Sequence, residues 1–475
     1  MRFKNRLFIS LLLVAVLILS GCNLFKKPNG KIIGLVTMSD GKTPIKAKIL
    51  VNGEQKVTAG DDGKFEISLK PGDYKLKAVY MEVESDETTV TVEPSKNKNV
   101  KITVDGLGKV TFALKTEDGK AIPNQAFKVG AEDFTSDSTG KTGESVVAYG
   151  TYNVTLNYKG FAFSEDLEIK SGENEIVVTG LKEISLTVKN TNGDAVPNTK
   201  ATIKVGNFTE EQTTDADGKI KFIGVAGKGE LTIDTTPPLM TLPDAAKDAG
   251  KIRGTVAVDF ASETEVKVDV VFADFVETFD AGLDNWIEEE DWELNQWQKT
   301  VKGATVQNGI LKRTEYVAST TSGLKLKDVE IGDAIAVIRV RTTTERGTSV
   351  AGMRVHMRND SDKFNKGYGA NITTHNVVLE NWLGDGGKKG ATIAKNPAKS
   401  EYPGDGIWTT VTLILQGHTY KIYVDGRQVM VDPEAEDPVP LVLVETDETK
   451  QHTSGGFFIE FTGGLEIDEI RLYHL

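Results

Sequence analysis

An all-β chain, built as three tandem small β-sandwiches followed by a larger jelly-roll β-sandwich, is what the sequence predicts, on three observations. Residues 31–274 run in short stretches of alternating Val, Ile, Thr and Lys, broken by Gly, Asp and Asn, with no helical period of useful length. A turn motif recurs in them about every 75 residues. All five Trp and all five His lie beyond residue 275, so a different kind of domain begins there. At 475 residues the chain is too long for a single core.

The N-terminus is read first. Arg2, Lys4 and Arg6 precede an apolar run at 7–19, and Ser20-Gly21-Cys22 follows at once. That is the charged, apolar and small-residue order of a secretory signal. The run falls short of the roughly 20 residues a spanning helix needs, so a removed signal over residues 1–21 is expected. Leu19-Ser20-Gly21-Cys22 resembles the lipobox of bacterial lipoproteins. The resemblance implies cleavage before Cys22 and acylation of its thiol, and hence a lipid anchor that holds the chain at the membrane of a bacterial envelope, outside the cytoplasm. Cys22 is the only cysteine, so no disulfide can form within the chain. Residues 22–30 are polar and read as a tether.

The repeats come next. Asp40-Gly41-Lys42-Thr43-Pro44, Asp118-Gly119-Lys120-Ala121-Ile122-Pro123 and Asn192-Gly193-Asp194-Ala195-Val196-Pro197 each lie between alternating runs. A second turn follows in each: Asp61-Asp62-Gly63-Lys64-Phe65, Ser138-Thr139-Gly140-Lys141 and Asp217-Gly218-Lys219. Pro71-Gly72-Asp73-Tyr74 and Tyr149-Gly150-Thr151-Tyr152 complete the first two units. Boundaries at 31–105, 106–181 and 182–274 follow, the third unit carrying an insertion at 235–250. This order resembles the carboxypeptidase-regulatory-like, or transthyretin-like, sandwich strung on many bacterial surface proteins, where it implies a spacer or interaction module. The turn aspartates are read as turn formers, because Asp61-Asp62-Gly63 lacks the spaced oxygens of a calcium loop.

Residues 275–475 read as one larger β-domain. The alternation of Val411, Leu413 and Leu415, a turn at Gln416-Gly417-His418, a strand at 420–424 and Asp425-Gly426 spell a meander. Glu277-Thr278-Phe279-Asp280 with Leu283-Asp284-Asn285-Trp286, then Tyr423-Val424-Asp425-Gly426 and the closing Ile467-Asp468-Glu469-Ile470, resemble concanavalin A-like, laminin-G-like sandwiches. Relatives of that kind bind glycans or, in the glucanase branch, hydrolyse them with paired carboxylates. The glucanase pattern is broken here, since Ile470 and Arg471 stand where a second Glu is needed.

Strand alternation supplies a better surface. Met353, Val355 and Met357 share one face, which leaves Arg354, His356 and Arg358 on the other. Asn371, Thr373 and His375 share a side of a second strand, and Glu380 and Trp382 of a third. As neighbours these would put Arg354, His356, Arg358, Asn371, Glu380 and Trp382 on an open sheet face, with bidentate donors for hydroxyls or carboxylates and an aromatic face for C–H bonds. The alternative is an ordinary solvated face. Trp286, Trp292 and Trp408 are assigned to the core or its rim.

For metal, the laminin-G resemblance implies a structural calcium, with Asp280 and Asp468 as the ligands that first and last strands could bring together. The His spacing fits no zinc motif. The net charge of −13 without a basic run argues against nucleic acid. The expected protein is therefore a lipid-anchored surface protein whose sandwich stalk presents a non-catalytic carbohydrate-binding domain to a glycan or polysaccharide. A glycan-active hydrolase of the same fold and an adhesive protein with a protein partner remain the alternatives.

Overall fold

The computed structural model describes residues 27–289, 293–295, 298–300, 302–313, 320–343, 352–359, 366–373, 376–383, 388–395 and 406–475. Cys22 with its signal, Trp292, Trp297 and His375 lie outside them. The fold is all-β: among the described residues the one α-helix is Asp244–Ala249. Contacts group the chain into two units, Met1–Ile184 with Phe222–Ala226, and Ser185–Lys221 with Gly227–Leu475.

The first unit holds two sandwiches of one plan. In each, the opening strand pairs parallel with the closing one: Gly30–Met38 with Asn97–Val104, and Leu107–Thr116 with Gly172–Val178. The repeated turns have a common cause. Gly63 and Gly140 sit at φ 73° and 79°, and a Cβ on them would meet the carbonyls of Val36 and Leu114 at 2.4 and 3.0 Å, so only glycine fits. The turn aspartates act as turn formers, as Asp40 does in accepting from the Lys42 and Thr43 amides at 2.8 and 2.9 Å. Alternation fills the cores with Ile32, Val36, Leu76 and Val90 in the first sandwich. In the second, Phe112, Phe127 and Phe134 form an aromatic cluster.

The third sandwich repeats the parallel pairing, residues 187–190 of Leu181–Asn190 lying against Glu265–Val268. Its insertion sits between Lys228–Asp234 and Arg253–Asp259, which themselves pair. The short helix in it is invisible to a search for long amphipathic periods. Met240, Leu242, Ala246 and Ile252 from this segment pack on Ile335, Val337, Ile414, Tyr423 and Tyr473 of the C-terminal domain.

That domain is a jelly-roll sandwich of two nine-stranded sheets. One contains Ala334–Thr342, Thr409–Gln416, Thr419–Val424 and Leu465–His474. The other contains Thr320–Leu326, Gly456–Phe461, Gly352–Asn359, Lys366–Thr373, Asn376–Leu383 and Lys388–Lys395 in that spatial order. First and last strands do meet, Phe275–Glu277 pairing with Leu465–His474. Between the sheets lie Val355, Met357, Ile338, Leu413, Phe457 and Ile470, among others. Trp286 belongs to this core, its Nε1 donating to Glu277 Oε2 at 3.0 Å, and it stacks on Phe279.

Candidate functional site

Cross-strand register assembles the site on the outer face of the second sheet. Arg354 lies opposite Glu460 on one side and Asn371 on the other; His356 lies opposite Phe458 and Gly369. Gly369 in turn faces Glu380, and Gly367 faces Trp382. Because directly paired residues point to one side of a sheet, Arg354, His356, Asn371, Glu380, Trp382 and Glu460 share a face. Their alternation partners Met353, Val355, Ile372, Leu379 and Ile459 go into the core.

The side chains converge. Arg354 Nη1 donates to Glu460 Oε2 at 3.2 Å, and Arg354 Nε stands 3.6 Å from Glu380 Oε2. Trp382 Nε1 donates to that same Glu380 oxygen at 2.9 Å. The Arg354 guanidinium lies 5.6 Å from the centre of the Trp382 ring, close enough for a cation–π contact. His356 Nε2 is 3.3 Å from Glu460 Oε1, and its ring is 6.0 Å from the indole. Gly369 makes room, since a Cβ there would reach Trp382 Nε1 at 3.0 Å and His356 Nδ1 at 3.6 Å.

The expected open face is closed. Arg354 is 7% exposed, His356 0%, Glu380 1%, Trp382 4% and Glu460 1%. Alternation tells which residues share a face and nothing about what covers it. Within this buried group, Arg354 Nε and Glu460 Oε1 have no hydrogen-bond partner among the described residues. A hydroxyl has the chemistry to serve either atom, accepting from the N–H or donating to the carboxylate.

Arg358 does not belong to this group. The pairing with Gly456–Phe461 shifts register between His356 and Asn359, and Arg358 itself takes φ 53°. Its guanidinium turns away to donate to the carbonyls of Gly332 at 2.8 Å and His452 at 2.9 Å, and pairs with Asp333. A bulge is what breaks an alternation argument, and nothing in the sequence marks this one. Asn371 is half-buried beside Arg354.

Glu460 is the member that sequence reasoning missed. It carried a signal: in Gly456–Phe461 it is a lone carboxylate among Phe457, Ile459 and Phe461, all three in the core, so alternation sends it to the outer face.

The remaining acids are engaged one by one. Asp468 pairs with Arg339, Glu466 with Arg341 at 2.6 Å, and Glu469 with Arg471. Both Arg339 and Arg341 lie over the half-buried Trp408 ring, at 4.7 and 4.5 Å. Asp280 accepts from the Thr278 hydroxyl at 2.9 Å. Among the described residues no group of three or more His, Cys, Asp or Glu side chains is placed to hold a metal ion.

Comparison with known proteins bears on the C-terminal domain. A family model described as a 3-keto-alpha-glucoside-1,2-lyase-like domain matches residues 274–459. No curated protein matches the chain. Among solved structures, the carbohydrate binding module CBM66 from Bacillus subtilis is 13% identical, over 40% of this chain and 97% of that one, with a TM-score of 0.27. LamAcat from Zobellia galactanivorans is 13% identical over 42% and 97%, at 0.31. The laminarinase catalytic domain from Thermotoga maritima, in complex with cetyltrimethylammonium bromide, is 15% identical over 43% and 98%, at 0.32.

Proposed function

We propose that the C-terminal domain recognises a carbohydrate at the Arg354, His356, Glu380, Trp382 and Glu460 cluster, and that the chain presents it outside the cytoplasm from a membrane to which a lipid on Cys22 ties it. The observation that carries the reading is the burial of these ionisable groups on the outer side of a sheet. Desolvating charges costs several kcal/mol per ion, and a buried ion pair is often no better for stability than well-packed apolar residues. Such a cluster is a candidate functional site on physical grounds.

Sugar chemistry suits it. Arg354 Nε is a donor and Glu460 Oε1 an acceptor, the two roles that sugar hydroxyls answer. The family model matched at residues 274–459 is named for an activity on a keto-glucoside, which also points to sugar. The same name favours a second reading, a sugar lyase or hydrolase in which Glu380 and Glu460 exchange protons with the substrate. Both are tested by one experiment: the full chain is screened against a glycan array and, in parallel, incubated with the bound glycans and their 3-keto forms. Binding without new products, lost in Trp382→Ala, supports recognition alone. Turnover lost in Glu460→Gln assigns catalysis, and no binding to any glycan overturns both.

The sandwiches and Cys22 give the proposed presentation its logic. Two or three acyl chains would hold the chain stably where a single one is marginal. Metabolic labelling with an alkyne fatty acid, compared with Cys22→Ser, tests the anchor; equal labelling of the two would sink it.

A further inference from the structure

The first two sandwiches share a plan, so each serves as the other's control. Residues correspond through their pairings: Gly72 and Tyr74 face Val92 and Val90 in the first, while Gly150 and Tyr152 face Ile169 and Leu167 in the second. The next pair in register is Leu76 with Thr88 in one and Val154 with Glu165 in the other. On the closing strand, Thr103 faces Thr37 in the first, and Val177 faces Lys115 in the second.

At one side the two sandwiches part. Val90 is 3% exposed in the first, whereas its counterpart Leu167 is only half-buried. A groove of about 220 Å³ opens there in the second, floored by Val154, Phe163, Leu167 and Ile176, with Glu165 and Val177 at its mouth. Val177 is 39% exposed, where the first sandwich has a threonine. Glu165 stands on the core-facing side of its strand, in register with buried Val154. Its carboxylate therefore overhangs an apolar floor. The first sandwich has Thr88 at that position; Glu175 of the second, where the first has Lys101, is paired with Lys115, which leaves Glu165 as the carboxylate the groove presents.

The groove also runs between two edges. Phe161–Ile169 ends the four-stranded sheet and Gly172–Val178 ends the three-stranded one. Each edge strand has a row of backbone N–H and C=O groups free of any sheet neighbour on that side. Apolar floor, acidic mouth and open backbone together define a complement: an extended strand with alternating apolar and basic side chains, whose backbone adds to an edge. A second copy docking through this same edge would place carboxylate against carboxylate.

We infer that this side of the second sandwich is a docking groove for an extended, basic polypeptide segment of a partner protein, one apolar side chain entering the floor and a neighbouring Lys or Arg meeting Glu165. The first sandwich, with Val90 buried and Thr88 and Thr103 at the corresponding positions, does not bind such a segment.

The test uses the full chain and a fluorescein-labelled heptapeptide, Lys-Val-Lys-Val-Lys-Val-Lys, with a Glu-for-Lys peptide as control. Saturable binding is expected for the basic peptide only, weakening as salt rises from 50 to 500 mM, on the order of the screening expected for exposed charges. A Glu165→Thr, Val177→Thr variant carries the residues the first sandwich already tolerates, so it should fold, and it should bind at least about tenfold more weakly. Hydrogen exchange should slow in 161–169 or 172–178 when peptide binds. Equal affinity in the variant, protection confined to other strands, or no binding overturns the inference. Sedimentation showing a dimer that this variant dissolves overturns it also, and assigns the groove to a second copy.

Discussion

The two outer faces of the C-terminal sandwich both bury side chains, and with opposite chemistry. On one, the insertion of the third sandwich lays Met240, Leu242 and Ile252 on Ile335, Val337, Ile414 and Tyr473. Tyr473 is so enclosed that burial pushes its phenol up to about 12. On the other, Arg354, Glu380 and Glu460 are as thoroughly removed from water, yet what they bury is charge. Apolar burial yields roughly 25 cal/mol per Å², while ionic burial returns its desolvation cost only with good geometry. The first face is explained by folding alone; the second calls for a function.

The strongest way to break that comparison is to remove one member of the ionic face. Arg354→Met leaves two buried carboxylates without their cation and should cost about 3–5 kcal/mol, read as a fall in the urea midpoint. Arg354→Met with Glu380→Leu and Glu460→Leu removes the charges together; stability should return to the parent value or exceed it by about 1–4 kcal/mol, while glycan binding stays lost. A triple variant as unstable as the single one would mean that the cluster serves the fold, and the contrast between the faces would fail.

The apolar face makes the next largest prediction. Every Trp lies beyond residue 275, so indole fluorescence reports the C-terminal domain and is silent for the insertion itself. Leu242→Ala, 6% exposed in the parent, should nonetheless lower the stability read from the Trp signal by about 2–3 kcal/mol. An unmoved midpoint would show that the insertion merely rests on the domain.

Much of this was legible from residue order. Period-two alternation and the recurrent Asp-Gly turns predict the sandwiches, and alternation in 353–357 puts Arg354 and His356 on the non-core face, where they are. Three things were not legible. The bulge at Arg358 turns one residue off that face, and a single extra residue in a strand leaves no compositional trace. The six-residue helix at Asp244–Ala249 is too short for a period to show. Covering of a face is tertiary: Arg354, His356 and Asn371 read as solvent-facing by pattern, and only the assembled domain makes the first two buried. Glu460 was legible in principle, as the one charge in an apolar strand.

Gly369 offers a finer cut between fold and site. A methyl there must move the Trp382 indole, 3.0 Å away at Nε1, by a few tenths of an ångström, while His356 Nδ1 at 3.6 Å stays in ordinary contact. Gly369→Ala should cost no more than about 1 kcal/mol in stability, since strands tolerate alanine at least as well as glycine, yet weaken glycan binding about tenfold. Equal affinity would place the ligand away from the indole.

The smallest effect contrasts buried charge with exposed charge in the same domain. Asp447 is held at about 2 by its bond from Lys450, then by the Thr449 hydroxyl and amide. These bonds close the turn that presents the Lys450 carbonyl to Asn381 Nδ2 at 2.9 Å. A carboxyl depressed in the folded state stabilises above its unfolded value near 3.8, and that contribution fades as pH falls through about 2. Asp447→Asn has no such titration. Its deficit against the parent should be constant at pH 5 and above, shrink from pH 4 downward and vanish near pH 2, as read from urea midpoints. The carboxylate is exposed, so the deficit should be far smaller than that of Arg354→Met. If the two deficits were comparable, burial would not be what separates an ordinary ion pair from the cluster on the outer sheet.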